Sequence, residues 1–232
     1  MARLPRLSIA GELHYIVQRG HNRQPVFVDD HDRQQFMQAL RDASADHRLA
    51  LHGYALLETE VQLLATPETA EGLSRAMQAV GRRYVAAFNR RHGRSGTIWE
   101  GRYRAAVIES ERYFGMALQW LESAAVRTGL APAPELWPWS SAAHHLGLRR
   151  DPLVTDHRLF WQLGNTPFDR EAVYRRLLDA GLPAATTQAL ENAALKSWAL
   201  GSPSFLARLA EQTTRPLMSR PRGRPVKAEK RL

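Results

Sequence analysis

Arginine is the residue type whose spacing in this sequence points most clearly to chemistry, and that chemistry is the neutralisation of phosphate. Residues 71–105 hold eight arginines against two glutamates, and residues 215–232 hold seven lysines or arginines against one glutamate. The formal net charge of +9 therefore lies in two stretches of the 232-residue chain, and the remainder is slightly acidic. Surfaces this basic bind polyanions by releasing counterions, so nucleic acid is the expected partner.

The first basic stretch coincides with a predicted amphipathic helix over residues 70–91, whose apolar stripe includes Leu73, Met77, Val80, Tyr84 and Phe88. Acidic residues at i+4 are missing from this helix, which favours phosphate contact over a merely solvated basic face. The residues predicted to contact DNA are Arg75, Arg82, Arg83, Arg90 and Arg91 on the helix and Arg102 and Arg104 on the strand that follows.

Two aromatic residues of the same region, Trp99 and Tyr103, leave two interpretations open. They could stack on unpaired bases, because every base offers an aromatic face. They could equally well pack in the core. The sequence alone does not separate the two roles.

The second basic stretch is predicted to be a tail, residues 213–232, with too little apolar content to fold alone. Within it, Arg220, Arg222 and Arg224 lie in the string RPRGRP at 220–225, which matches the core of an AT-hook. Such a segment enters the narrow minor groove of A/T-rich duplex, where glycine allows close approach. The alternative is a generic polycationic tail.

Several classes of site are excluded by composition. The chain has no cysteine, which excludes disulfides, thiolate metal sites and cysteine nucleophiles. The pair His144-His145 is predicted to lie at the surface, since adjacent side chains diverge on a helix and no further ligand lies nearby in the sequence. No apolar run is long enough for a transmembrane helix, so we expect no membrane partner and a cytoplasmic, nucleoid-associated protein.

Hydrophobic periodicity predicts an α+β fold with a ferredoxin-like antiparallel sheet flanked by helices, then a helical C-terminal extension and the basic tail. Strands are predicted over residues 12–19, 49–57, 60–66 and within 96–109, and helices over 30–47, 70–91, 110–126, 156–163, 169–180, 185–198 and 202–212. The predicted domains are residues 1–147, the extension 148–212 and the tail 213–232.

Seven strings occur in unbroken order across residues 1–147: MARLPRL at the start, QRGHNRQPVF at 18–27, TPE at 66–68, the long string at 71–104, SERY at 110–113, VRTGL at 126–130 and WPWSS at 137–141. Together they resemble the REP-associated tyrosine transposases, within the single-tyrosine HUH-type transposases. The resemblance implies DNA transposition and recombination by cleavage and rejoining of single-stranded DNA. It also implies a divalent metal such as magnesium, a His-x-His pair on a strand, a tyrosine nucleophile on a helix and a polar ligand four residues later.

The four positions that the resemblance marks as chemical hold other residues in this chain. Glu60 and Gln62 stand at the histidine positions, Trp120 at the tyrosine and Ala124 at the polar ligand. A carboxylate suits magnesium, but an amide is a weak ligand, an indole has no nucleophilic oxygen and alanine has no ligand atom. We therefore expect no bound metal, no other cofactor and no intact catalytic site.

The hypothesis that follows is a DNA-binding protein derived from a single-tyrosine transposase, acting as a regulator or a transposition accessory. It would bind hairpin or single-stranded DNA through the folded domain and A/T-rich duplex through the tail. One alternative is an active transposase with an atypical site. The other is an RNA-binding regulator that uses the same surface. The resemblance also leaves a homodimer possible.

Overall fold

The structure, a computed structural model, describes residues 6–218. Its strands are β1 (Leu13–Arg19), β2 (Leu49–Leu56), β3 (Glu60–Pro67) and β4 (Arg104–Ile108). Its helices are α1 (Asp30–Asp46), α2 (Gly72–Arg91), α3 (Ser110–Glu122), α4 (Ala124–Arg127), α5 (Ala142–His145), α6 (Arg158–Trp161), α7 (Pro167–Ala180), α8 (Ala184–Lys196) and α9 (Pro203–Ala210), with short 3-10 helices at His21–Arg23 and Pro134–Leu136. Among these described residues, no helix combines the length and apolar character needed to cross a bilayer.

The four strands form one antiparallel sheet in the order β2-β3-β1-β4. With α1 and α2 between the strands, the chain order is β-α-β-β-α-β, which confirms the predicted α+β class with an antiparallel sheet flanked by helices. The register of the two central strands pairs Val17 with Gln62 and Arg19 with Glu60. Because side chains alternate along a strand, Tyr15, Arg19, Glu60 and Gln62 can share one face of the sheet.

Helices α1 and α2 cover the first face of the sheet. The stripe predicted on α2 is buried there, and Tyr84 lies between Phe36 and Trp99 at the centre of an aromatic cluster. Helix α1 begins where the Asp29 side chain accepts a hydrogen bond from the Asp32 amide. This face is built mostly by residues 16–105, with Leu153 of the extension added to its cluster.

The second face of the sheet is covered by α3 and α4 together with helices of the C-terminal extension. Phe160, Tyr174 and Leu190 of the extension belong to the same buried cluster as Tyr15 and Leu64 of the sheet. A third cluster joins the N-terminal Leu7 and Ile9 to Phe205 and Leu209 of α9. The predicted domain boundary at residue 147 therefore does not coincide with a boundary in packing.

Two predicted elements are shorter than expected. The strand predicted within 96–109 is limited to β4, because Gly93, Gly96 and Gly101 adopt positive φ and make the preceding segment a loop. The helix predicted over 110–126 breaks at Ser123, whose hydroxyl donates to the Gln119 carbonyl at 2.6 Å. Serine that bonds back in this way bends a helix. The break sets Trp120 and Ala124 on two successive helices.

The start of the predicted tail packs against the extension. The Arg215 guanidinium donates to the Ser197 carbonyl at 2.7 Å, and the Ala199 amide donates to the Leu217 carbonyl at 3.0 Å. Residues 213–218 are thus part of the folded chain, contrary to the expectation for the whole of 213–232. The AT-hook-like residues Arg220, Arg222 and Arg224 lie outside the described residues.

Candidate nucleic-acid interface

A cleft of about 330 Å³ lies on the second face of the sheet, bounded by β1, β3, α3, α4 and α8. All four positions that differ from the transposase pattern line it: Glu60 and Gln62 from β3, Trp120 from α3 and Ala124 from α4. Among the described residues, no histidine lines this cleft. The chain thus brings the four positions together in space.

The two β3 side chains of the cleft are held in a continuous chain of hydrogen bonds. Arg19 Nε donates to Glu60 Oε2 at 2.8 Å, and Gln62 Nε2 donates to Glu60 Oε1 at 2.5 Å. The Tyr15 hydroxyl in turn donates to Gln62 Oε1 at 2.6 Å. Both oxygens of the carboxylate are engaged, so a metal ion at Glu60 would have to displace an ion pair or an amide.

Tyr15 is the tyrosine that lines this cleft, and its surroundings do not activate it. Burial raises the pKa of Tyr15 well above its ordinary value, and its proton is engaged by Gln62. A phenol of raised pKa is a poor nucleophile at neutral pH. Tyr113, two turns before Trp120 on α3, is half-buried in the second-face cluster and does not line the cleft.

Trp120 supports an arginine at the mouth of the cleft. The guanidinium carbon of Arg127 lies 3.3 Å from the centroid of the Trp120 ring, and Arg127 Nη1 donates to the Trp120 carbonyl at 2.5 Å. Arg127 is exposed, although desolvation by the groups around it lowers its pKa from the ordinary value. A guanidinium held against one side of an indole offers its other side to a base or a phosphate.

Sequence inspection missed Tyr15, Arg19 and Arg127 as residues of this site. The alternation of β1 would have placed Tyr15 and Arg19 on the face that carries Glu60, so a signal for them existed. Glu191 and Leu195 of α8 also line the cleft. They come from the extension, about 130 residues after β3, and no local pattern predicts that proximity.

The arginines of α2 fall into two groups, and the first is paired with α1. Arg83 lies 3.6 Å from an oxygen of Asp42 and 3.2 Å from one of Asp46. Acidic residues at i+4 are missing from this helix, as the sequence indicates, but the acidic partners of Arg83 come from the neighbouring helix.

Arg91 is held more tightly, at the start of α1. Its guanidinium contacts Asp29 at 2.5 Å and Asp32 at 2.6 Å, and the hydrogen bond from Arg91 holds the pKa of Asp29 far below its ordinary value. Burial acts to raise the pKa of Asp32, but hydrogen bonds from the Val28 amide, His92 and Arg91 hold that pKa below its ordinary value. Arg91 therefore joins α1 to α2, and its charge is already paired with two carboxylates.

The second group of predicted arginines is exposed and carries no such partner. The side chains of Arg75, Arg82, Arg90 and Arg102 make no ion pair or hydrogen bond within residues 6–218. Arg104 differs, because it donates to the Leu195 carbonyl of α8 at 2.8 Å and lies 3.9 Å from Glu100. Four of the seven arginines predicted to contact DNA in the described chain thus offer an unneutralised charge to solvent.

The two aromatic residues left open by the sequence are core residues. Trp99 and Tyr103 are 5% and 6% exposed, and both belong to the cluster beneath α1 and α2. The Tyr103 hydroxyl lies 3.0 Å from Ser74 Oγ on α2. Neither ring is available to stack on a base.

One further expectation was wrong. The pair His144-His145 was expected at the surface, but His145 is fully buried and its Nδ1 donates to Glu122 at 2.6 Å. Helix α5, which was not predicted, carries both residues inward, because it packs beneath the extension.

The structure titled as a REP-associated tyrosine transposase bound to a REP hairpin superposes with a TM-score of 0.56 and 15% identity, over 68% of this chain and 92% of that one. The chain has the fold of that transposase. A protein assigned as a transposase from Deinococcus radiodurans R1 aligns over 51% of this chain and 92% of its own, at 19% identity and a TM-score of 0.36.

The sequence comparisons add nothing to this likeness of fold. A scan against models of known protein families finds no match, and a search of curated proteins finds no match.

Proposed function

We propose that this protein binds hairpin or single-stranded DNA on a transposase fold without cutting it, as a regulator or an accessory of transposition. The observation that carries the proposal is the cleft that holds Glu60, Gln62, Trp120 and Ala124 together. Cleavage by the route that the transposase resemblance implies needs a metal ligand set and an activated hydroxyl in that place. The cleft supplies neither.

The internal hydrogen bonds of the cleft support this proposal. A carboxylate left over from a decayed site would be expected to face water or to lack partners. Here the Glu60 carboxylate is neutralised by Arg19, and Gln62 is held between Glu60 and Tyr15. Glu60 and Gln62 thus belong to a polar network with Arg19 and Tyr15 that engages both oxygens of the Glu60 carboxylate.

The charge distribution supports a nucleic-acid partner. Arg75, Arg82, Arg90 and Arg102 are exposed and unpaired within the described residues, and six further basic residues follow Met218. Phosphates compete poorly for arginines that already hold carboxylates, so the unpaired group is the expected contact surface. The structure with the same fold was determined with a REP hairpin bound, which makes a hairpin the first ligand to test.

Binding is tested by competition. A labelled DNA hairpin is bound by the full chain and displaced by unlabelled hairpin, by a scrambled single strand of equal length and by the RNA version of the hairpin. We expect the DNA hairpin to compete best. If the scrambled strand competes equally well, the protein does not recognise the hairpin structure. If the RNA hairpin competes better than the DNA hairpin, the RNA-binding alternative is favoured, because the protein then recognises the 2′-hydroxyl groups.

A further inference from the structure

A cluster of metal-ligating side chains lies away from the cleft, where α5 meets the segment that leads into α6. It consists of His144, His145 and Asp156, and one ligand atom from each lies within 4.8 Å of the other two. His144 Nε2 is 3.1 Å and His145 Nε2 is 3.9 Å from the same Asp156 oxygen, Oδ1. The donors are therefore arranged around one point.

A buried carboxylate fixes the orientation of the central ligand, His145. Glu122 accepts hydrogen bonds from His145 Nδ1 at 2.6 Å, from Ser141 Oγ at 2.5 Å and from the Tyr174 hydroxyl at 2.7 Å. Because a carboxylate only accepts, His145 Nδ1 carries a proton, and in the neutral ring the lone pair is then on Nε2. A carboxylate behind a histidine in this way is the usual support of a metal-bound imidazole.

The Nε2 atom of His145 is the independent observation that points to a ligand. His145 is fully buried, yet its Nε2 has no hydrogen-bond partner. Leaving a buried acceptor unpaired is costly, so such atoms call for an explanation in terms of function or of an absent ion or water. The atom faces Asp156, whose side chain is 23% exposed and opens the cluster to solvent.

We propose that this cluster binds a divalent transition metal, with zinc as the best match, through His145 Nε2 and the Asp156 carboxylate. Imidazole nitrogen favours zinc over magnesium or calcium. With modest side-chain movement, these nitrogen and oxygen atoms can each come within roughly 2.0–2.2 Å of a zinc ion placed between them, the distance that zinc coordination requires. Water completes the coordination.

His144 is the third ligand, and it enters by a rearrangement. In the metal-free arrangement its Nδ1 accepts the Asp151 amide at 3.1 Å, so Nε2 carries the proton and donates to Asp156. To bind metal through Nε2, the ring must move its proton to Nδ1 and give up the Asp151 amide. His144 therefore contributes less to affinity than His145 or Asp156.

A metal at this point would connect the two parts of the chain. Helix α5 follows the strings that resemble transposases, whereas Asp156 lies in the helical extension, just before α6. Glu122 at the end of α3 and Tyr174 of α7 already meet behind His145. The bound ion would hold the extension, and with it α8 at the edge of the cleft, against the sheet domain.

The test is a zinc titration of the full chain, untagged and first stripped with a chelator, by calorimetry with elemental analysis of the dialysed product. We expect one zinc per chain. Asp156→Asn, a substitution at a partly exposed position, should weaken binding at least about tenfold. His145→Gln should do the same, and His144→Ala should weaken binding less. His31→Ala, at an exposed histidine of α1, is the matched control and should bind like the parent.

Circular dichroism of each variant separates a missing ligand from a disrupted fold, and cobalt substitution reports the ligand field directly. No zinc bound by the parent chain would overturn the proposal. So would a folded Asp156→Asn variant that binds zinc as tightly as the parent, because the ion would then lie elsewhere.

Discussion

The two faces of the sheet are built in different ways. The face beneath α1 and α2 is an aromatic core made mostly by residues 16–105, and the buried Asp32 at its edge is paired with Arg91. The other face contains a cleft made by residues from β1, β3, α3, α4 and α8, with its charges paired inside. Both faces bury a hydrophobic cluster, and the cleft on the second face holds polar residues that satisfy one another.

The largest effect is expected from a charge placed on the first face. Met77 is buried under α1, so Met77→Asp leaves an unpaired carboxylate in the core and should lower the free energy of unfolding by about 4 kcal/mol or more. Denaturant melts measure it. Met116→Asp on α3 is the matched change on the second face, where Met116 is only partly buried, and should cost clearly less. Equal costs would contradict the contrast between the faces.

Acid should weaken the second face through His52. Its neutral ring donates from Nδ1 to the Thr155 carbonyl at 2.7 Å and accepts at Nε2 from the Thr66 hydroxyl at 2.9 Å. Burial lowers the pKa of His52 to about 4, from an ordinary value of 6.5. As the pH falls, His52 therefore binds a proton in the unfolded chain at a higher pH than in the folded chain. The contribution of neutral His52 to the free energy of unfolding is complete above pH 6.5 and declines by about 3 kcal/mol as the pH falls to 4.

His52→Gln isolates that contribution, because glutamine can both donate and accept but does not titrate. The stability of the parent relative to this variant should fall between pH 6.5 and pH 4, as measured by urea melts at each pH. A difference that stays constant with pH would show that His52 does not titrate on unfolding.

The basic residues after Met218 should dominate duplex binding. Ending the chain at Met218 removes six lysines or arginines and one glutamate while keeping the packed Arg215. Each phosphate that is no longer neutralised reduces the log–log salt slope on duplex by roughly 0.9, so the slope should fall by up to about 5. Affinity for A/T-rich duplex should drop strongly, while preference for a hairpin over a scrambled strand persists. Loss of that preference would make the tail the element that recognises structure.

A smaller effect separates the two groups of α2 arginines. Arg82→Ala with Arg90→Ala removes two unpaired charges and should weaken hairpin binding, with a shallower salt dependence, at unchanged stability. Arg83→Ala with Arg91→Ala is the matched double variant of equal charge change. This variant should lower the free energy of unfolding, because the buried Asp32 carboxylate loses its ion pair with Arg91. It should weaken hairpin binding less than the first double variant does. The opposite pattern would mean that the carboxylates of α1 do not occupy these arginines.

The sequence predicted the first face well, because its information is local. The stripe from Leu73 to Phe88 has helical period, and the Asp29 cap marks where α1 begins. The ion pairs of Arg83 and Arg91 were missed, since their partners lie on another helix. Along α3, a serine that bonds to its own turn ended the helix earlier than its periodicity indicated.

The second face was predicted only in part. The resemblance marked Glu60, Gln62, Trp120 and Ala124, and the alternation of β1 contained an unused signal for Tyr15 and Arg19. The cover provided by α8 could not be predicted, because packing between residues so far apart leaves no local pattern. The inward orientation of His145 has the same cause, since it depends on Tyr174 and Phe160 of the extension.

The most direct test of binding without cleavage uses one reaction mixture for both properties. Full chain and labelled hairpin DNA are incubated with magnesium or manganese, part of the mixture is run on a native gel, and the rest is denatured and weighed by intact-mass spectrometry. The account predicts a shifted hairpin on the native gel, uncut DNA and a protein of unchanged mass. A protein peak heavier by a DNA fragment, absent when the metal is chelated, would contradict it.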